Sequence, residues 1–304
     1  KTMVKLLQAL LRWCFMRVEN LFNLAFGDKL NPFYHLGTIS FWQFWLLVGT
    51  GLYLYVFAET GVHDAYQSVE RITHNQWWAG GIMRSVHRYA SDAMVLTMLL
   101  HMIRHFVFDH YRAFRAFSWI SGVVVMWLVY VSGVNGFMLP WDELAQFTVV
   151  ATMEWLDALP VFGGILVRNF VTPEAITDRL FSLLSFLHIG LPLGVLALLW
   201  VHTQRVPGAK TMPPRPLALG LTLALVVLSL VKPAVSGAPA DLAVAPGTIP
   251  LDWFYLVTYP LIYAWSPGIL WIALGVTAIV FAALPWLPPK RVAKTGRHLL
   301  VRPD

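Results

Sequence analysis

Residues 82–108 read IMRSVHRYASDAMVLTMLLHMIRHFVF, and a second apolar stretch, residues 178–203, reads DRLFSLLSFLHIGLPLGVLALLWVHT. Each carries two histidines 14 residues apart, His87 with His101 and His188 with His202. At about 100° per residue these steps fall within roughly 40° of whole turns, so both imidazoles of a helix face one way, about 21 Å apart along its axis. Two depths of one helical bundle are thereby addressed. A lone intramembrane histidine reads as well as a hydrogen-bonded core residue. Four at one shared spacing match the need of bis-imidazole haem ligation for one neutral nitrogen on each face of a porphyrin, met twice. Glycines repeat the period: Gly37 with Gly51 on one apolar segment, Gly122 with Gly136 on another. A porphyrin edge wedged among helices needs missing side chains where it meets its neighbours, and glycine supplies that clearance.

The rest of the chain has a membrane composition: 304 residues, 58% hydrophobic and 12% charged, with 14 Trp and 19 Phe. A net charge of +6 could suggest nucleic acid. The basic residues, however, cluster at the ends of apolar spans with no basic aromatic groove, which suits a lipid surface and argues against nucleic acid. A single cysteine, Cys14, excludes an intrachain disulfide, a Cys-ligated cluster and a C-x-x-C-H attachment, so any haem is held non-covalently. Lys1–Phe26 is apolar on one face and carries Lys5, Arg12 and Arg17 on the other, with no small-residue cleavage site. This reads as an interfacial amphipathic helix within residues 1–30.

Six spans of bilayer length are expected, at about residues 39–58, 82–108, 118–138, 178–203, 216–231 and 267–287. The resulting fold class is an all-α integral membrane protein: a four-helix di-haem bundle (residues 31–206) followed by a two-span module (residues 207–304) that has no histidine in its apolar parts. With both termini cytoplasmic, 16 of the 22 basic residues fall on the inner side and most acids on the other. They include Lys290, Arg291, Lys294, Arg297 and Arg302 of the tail. This is the positive-inside distribution. It puts His87, His188, Gly51 and Gly136 at the outer level and His101, His202, Gly37 and Gly122 at the inner one.

The stretches NPFYHLG (residues 31–37), IMRSVHR (82–88), GFMLPWD (136–142), PVFG (160–163) and HIGLPL (188–193) together resemble the cytochrome b family of quinol to cytochrome c or plastocyanin oxidoreductases, most closely its chloroplast and cyanobacterial branch. The resemblance runs from about Asn31 to Leu287. It implies that the four histidines are axial ligands of two b haems, that Arg84 and Arg88 lie near the outer haem's propionates, and that the protein is a homodimer working with a Rieske protein and a c-type cytochrome. Snorkelling at a helix end is the lesser, alternative reading of the two arginines. The chain departs from the family in three ways. Only six spans are present. Leu251, Asp252, Trp253 and Phe254 stand where the family carries Pro-Glu-Trp-Tyr at its outer quinol site, leaving Asp252 as candidate proton acceptor. His35 stands where the chloroplast branch attaches an additional haem through cysteine, so thioether attachment is excluded there. His35 is then a candidate for a third haem or, with Arg205, for an inner quinone site, or simply a solvated interfacial histidine. Asp92, four residues beyond Arg88, reads as its i, i+4 ion-pair partner or a contact with another subunit, with a proton path as the alternative.

The sequence thus predicts a subunit of a quinone-linked respiratory or photosynthetic complex in a prokaryotic cytoplasmic membrane, moving electrons across the bilayer between two bis-His haems and a quinone. A di-haem anchor for another dehydrogenase or reductase is the alternative within redox chemistry. A transporter or haemless scaffold is the alternative outside it.

Overall fold

The structure, a computed structural model, describes residues 3–287. The charged tail from Lys290 to Arg302, used above to orient the chain, lies outside the described residues. Apart from one isolated bridge between Asp142 and Pro239, the described residues form helices and turns.

The first helix, α1 (Met3–Phe26), leaves Leu6, Leu10, Trp13, Leu21 and Leu24 exposed along its apolar side. The buried Asn31 joins it to α2 (Leu36–Phe57): its Nδ2 donates to the Glu19 carbonyl (2.9 Å) and to Asn23 Oδ1 (2.6 Å), while its Oδ1 accepts from the Phe33 amide. A short α3 (Ala65–Glu70) and two π-turns lead into α4 (Ile82–Val107). The last carbonyls of α4 have no partner within the helix, and α1 supplies two. Gln8 Nε2 donates to the Phe106 carbonyl and Arg12 to that of Val107, while Glu19 pairs with Arg104 at 2.7 Å.

Two antiparallel pairs form the centre of the molecule. Helix α4 packs along α2, and α8 (Asp178–Gln204) along α5 (Ala116–Gly136). Between these pairs in sequence lie α6 (Glu143–Asp157), capped by the Asp142 side chain on the Ala145 amide, and the short α7 (Ile165–Phe170). The carboxyl-terminal helices dock on different sides. Helix α9 (Arg215–Val231) lies against α4 and receives a hydrogen bond from Trp42 of α2 on Thr222. Helix α11 (Pro267–Ala283), reached through α10 (Tyr259–Ala264), packs on α5 and α6. The apolar core, including Val149, Leu180, Phe181, Leu184, Leu256 and Leu270, fills the space among α5, α6, α8 and the α10–α11 segment.

Four of the described helices are long and apolar enough to cross a bilayer: Leu36–Phe57, Ala113–Gly136, Asp178–Gln204 and Pro267–Trp286. Six spans were expected, and the other two differ for identifiable reasons. Helix α4 carries Arg84, Arg88, Asp92 and Arg104, charges that are paired within the protein instead of facing lipid. Helix α9 has 17 residues, or about 26 Å of helix against a hydrocarbon core of about 30 Å. Their place beside true spans comes from packing, a property that neither helix's composition expresses alone.

Candidate functional site

Each period-matched glycine lies against one of the four histidines. A Cβ on Gly51 would stand 3.1 Å from His87 Cε1, and one on Gly136 2.8 Å from His188 Cε1. At the other end of the helices, the corresponding distances are 3.0 Å from Gly37 to His101 and 3.6 Å from Gly122 to His202. What a side chain here would meet first is the imidazole of the facing helix. The glycines thus give the rings room to sit edge-on against the neighbouring backbone.

His87 of α4 and His188 of α8 face each other with ring centroids 6.2 Å apart and planes inclined at 66°. With metal–nitrogen bonds of about 2 Å and about 1 Å from each nitrogen to its ring centre, an iron shared by both rings would hold the centroids about 6 Å apart. The donor set fits as well. Among the described residues no three His, Cys, Asp or Glu side chains come together as a metal cage. Two opposed imidazoles suit a metal whose remaining ligands come from a porphyrin.

Hydrogen bonds fix which nitrogen each ring offers. His188 Nδ1 lies 3.0 Å from the Ser132 carbonyl, which can only accept, so Nδ1 carries the proton. His87 Nδ1 lies 3.0 Å from Thr50 Oγ1, whose own proton is directed to the Leu46 carbonyl at 2.6 Å. His202 Nδ1 lies 2.8 Å from Ser121 Oγ, which donates to the Ser118 carbonyl. In all three the hydroxyl or carbonyl accepts from Nδ1–H, leaving the Nε2 lone pair for a metal. His101 has no such partner among the described residues and packs instead on His105, ring centroids 4.5 Å apart. Pro192, four residues after His188, cannot donate to the His188 carbonyl and loosens α8 at that level.

The two arginines are engaged by protein. Arg84 donates to Thr73 and to Ser236 and lies 3.6 Å from Glu70. Arg88 holds Asp92 at 2.7 Å, the pair expected from spacing, and also Asp252 at 2.7 Å, while lying over the Phe137 ring. The loop after α9 thus returns Asp252 to the neighbour of His87. Its carboxylate is buried, and its other oxygen accepts from the Phe254 and Tyr255 amides. Next to it the Tyr255 ring lies where a Cβ on Gly133 would stand, and its hydroxyl pairs with Ser91 at 2.7 Å. Gly133 is outside the 14-residue period, which is why spacing did not single it out. At the opposite end, His35 Nε2 is 3.0 Å from the Lys29 carbonyl, and Arg205 lies over Phe117.

Beyond Tyr255, a cleft of about 430 Å³ opens between α5, α6, α10 and α11. Trp127, Tyr130, Trp155, Tyr259 and Trp271 make its wall largely aromatic. Nothing in the spacing of α6 marks Trp155, since an aromatic residue on a buried helix face is ordinarily core.

Apolar helices that set the imidazoles of His87 and His188 face to face, each beside a glycine of a neighbouring helix, suit a haem-binding membrane protein of the electron-transfer class. The sequence pattern of the family described as Cytochrome b/b6/petB matches residues 21–206, and the chain belongs to the cytochrome b family. Cytochrome b6 of Oltmannsiellopsis viridis is 31% identical over 177 residues, covering 57% of this chain and 80% of that protein. Cytochrome b6 of Synechococcus elongatus is 32% identical over 161 residues, 52% of this chain and 74% of that one. A solved chain described as "Hyperthermophilic respiratory Complex III" shares the fold, with a TM-score of 0.61 at 18% identity, covering 89% of this chain and 80% of that chain. The protein is an integral membrane subunit of a redox complex, and its family implies haem b.

Proposed function

We propose that this chain holds two b-type haems, one between His87 and His188 and one between His101 and His202, and carries electrons across the bilayer between them and a quinone. The observation that supports this most is the opposed pair at 6.2 Å with both Nδ1 protons committed, because it presents two Nε2 lone pairs to one metal. Bound there, haem supplies one-electron carriers at two depths; the protein sets their ligands, spacing and dielectric. Gly37, Gly51, Gly122 and Gly136 let the rings approach the facing helices. By the charge distribution, the His87 level faces outward and the His101 level the cytoplasm of a prokaryotic membrane. The four-helix module ends near residue 206, and residues 207–304 contribute the helices that flank it. The partners of this reading are a Rieske protein, a c-type cytochrome and a second copy of the chain.

The aromatic cleft is the outer quinone site of this proposal, and its volume suits a ring with an apolar tail. Asp252 serves there chiefly as the clasp that ties the loop to Arg88. To reach a quinol it would have to leave the Arg88 guanidinium and the Phe254 and Tyr255 amides. Arg84 and Arg88 near the outer haem, and His35 and Arg205 near the inner one, belong to the same proposal as polar flanks. His35 there contacts a quinone or a third haem.

A second reading, a di-haem anchor serving a different dehydrogenase or reductase, is favoured by the engagement of Asp252 and by Leu251 and Phe254 in the quinol-site loop. The deciding experiment is a reduced-minus-oxidised spectrum with haem quantified against protein. Two haem b per chain are expected, and a folded protein without haem would overturn both readings. The subunits that co-purify then choose between them.

A further inference from the structure

Beside the aromatic cleft lies one buried polar group that the fold leaves unused. Trp155 is 5% exposed, lines the cleft, and its indole Nε1 has no hydrogen-bond partner among the described residues. The other polar groups of the wall are committed. Tyr130 Oη pairs with Thr258 at 3.0 Å; Thr152 Oγ1 lies 2.6 Å from Tyr259 Oη and donates to the Thr148 carbonyl. The Trp271 indole donates to the Trp155 carbonyl at 2.7 Å. Its ring stacks on that of Trp155, centroids 4.5 Å apart and planes inclined by 25°. One indole N–H of the stacked pair is therefore spent within the protein and the other is not. The stack holds the second ring in place.

We propose that the Trp155 N–H holds a carbonyl oxygen of the quinone in this cleft, making Trp155 the residue that fixes the ring's orientation. The inference rests on the quinone-linked reading above. Buried donors are nearly always paired, and an unpaired one calls for an acceptor that the protein itself does not provide. Water is a poor candidate, since a buried water needs two or more polar partners and the wall offers one unspent donor. An acceptor carried on a large apolar body satisfies the N–H without bringing further unmet polar groups. A quinone ring carbonyl and a phospholipid ester carbonyl share that chemistry. The planar walls of Trp127, Tyr130 and Trp271 suit the flat ring.

The test uses the purified complex with a short-chain quinone carrying ¹³C at its ring carbonyls, followed by redox-difference infrared spectroscopy. In the wild type one ring-carbonyl band should move to lower frequency on binding. Trp155→Phe keeps the ring and the stack but removes the donor. In it the band should return to the frequency of unbound quinone, with the KM for quinol in haem reduction raised roughly three- to tenfold. Should Trp155→Phe lose its haem spectrum, Trp155→His, which restores a ring N–H, takes its place and should keep the shifted band. A bound quinone whose bands are identical in wild type and Trp155→Phe overturns the assignment of Trp155 while sparing the quinone reading. So does a response of ¹³C-labelled lipid ester carbonyls in place of the quinone's. No quinone binding by the wild-type complex would instead defeat the quinone reading itself.

Discussion

Replacing each of the four glycines by alanine provides a graded test, because the methyl group would meet its histidine at a different distance at each position. At Gly122 the new Cβ would lie 3.6 Å from His202, ordinary van der Waals contact. At Gly136 it would lie 2.8 Å from His188, so the ring must retreat by several tenths of an ångström. Gly→Ala in a helix interior gains about 1 kcal/mol from backbone propensity. Overpacking costs about 1–3 kcal/mol. Gly122→Ala should therefore be neutral or stabilising by up to about 1 kcal/mol. Gly136→Ala should come out between neutral and about 2 kcal/mol destabilised, with Gly37 and Gly51 in between. The ligand effect is sharper than the stability effect. His188 has little room to retreat, since its Nδ1 is held 3.0 Å from the Ser132 carbonyl. Its Nε2 should therefore be pulled off axis, and the outer haem should be weakened while the inner one is spared. Thermal unfolding and a redox titration that resolves the two haems measure both quantities on one preparation. Equal behaviour of Gly122→Ala and Gly136→Ala, with both haems retained at unchanged potentials, would refute the clearance argument.

Changing His87 or His188 to alanine should halve the haem content by loss of the outer haem, and His101 or His202 to alanine by loss of the inner one; spectra of the separate variants check the pairing. Thr50→Val removes the acceptor of His87 Nδ1–H and should lower outer-haem affinity about 10- to 100-fold, measured by haem retention during dilution, whereas Ser121→Ala should act on the inner haem. Asp252→Asn should loosen the loop on Arg88 and lower thermal stability by about 1–3 kcal/mol, less than the full loss of a buried pair because Asp92 remains. If Asp252 is instead the proton acceptor, that variant will slow quinol-dependent reduction of the outer haem across the pH range, and the kinetics separate the two roles. Gly133→Ala should force the Tyr255 ring from its seat at a cost of about 1–3 kcal/mol, read as a lower unfolding temperature with both haems retained.

The periodicities in the sequence determined a great deal. Fourteen-residue spacing is a property of a single helix, so the pairing of His87 with His101 on one face, and the matching glycine pattern, needed no knowledge of neighbours. The same holds for the apolar spans, the amphipathic first helix and the Arg88–Asp92 pair, all of which depend on residues a few turns apart at most. Family membership likewise followed from short local motifs. What only the tertiary structure decided are contacts between residues far apart in sequence. That Gly136 lies against His188 depends on how closely α5 and α8 approach. That Arg88 serves Asp252 as well as Asp92 depends on a loop more than a hundred residues away. Trp155 became visible only when every other polar atom of its cleft was seen to be partnered, since an unsatisfied donor is defined by its surroundings. Residue type and spacing do not encode it.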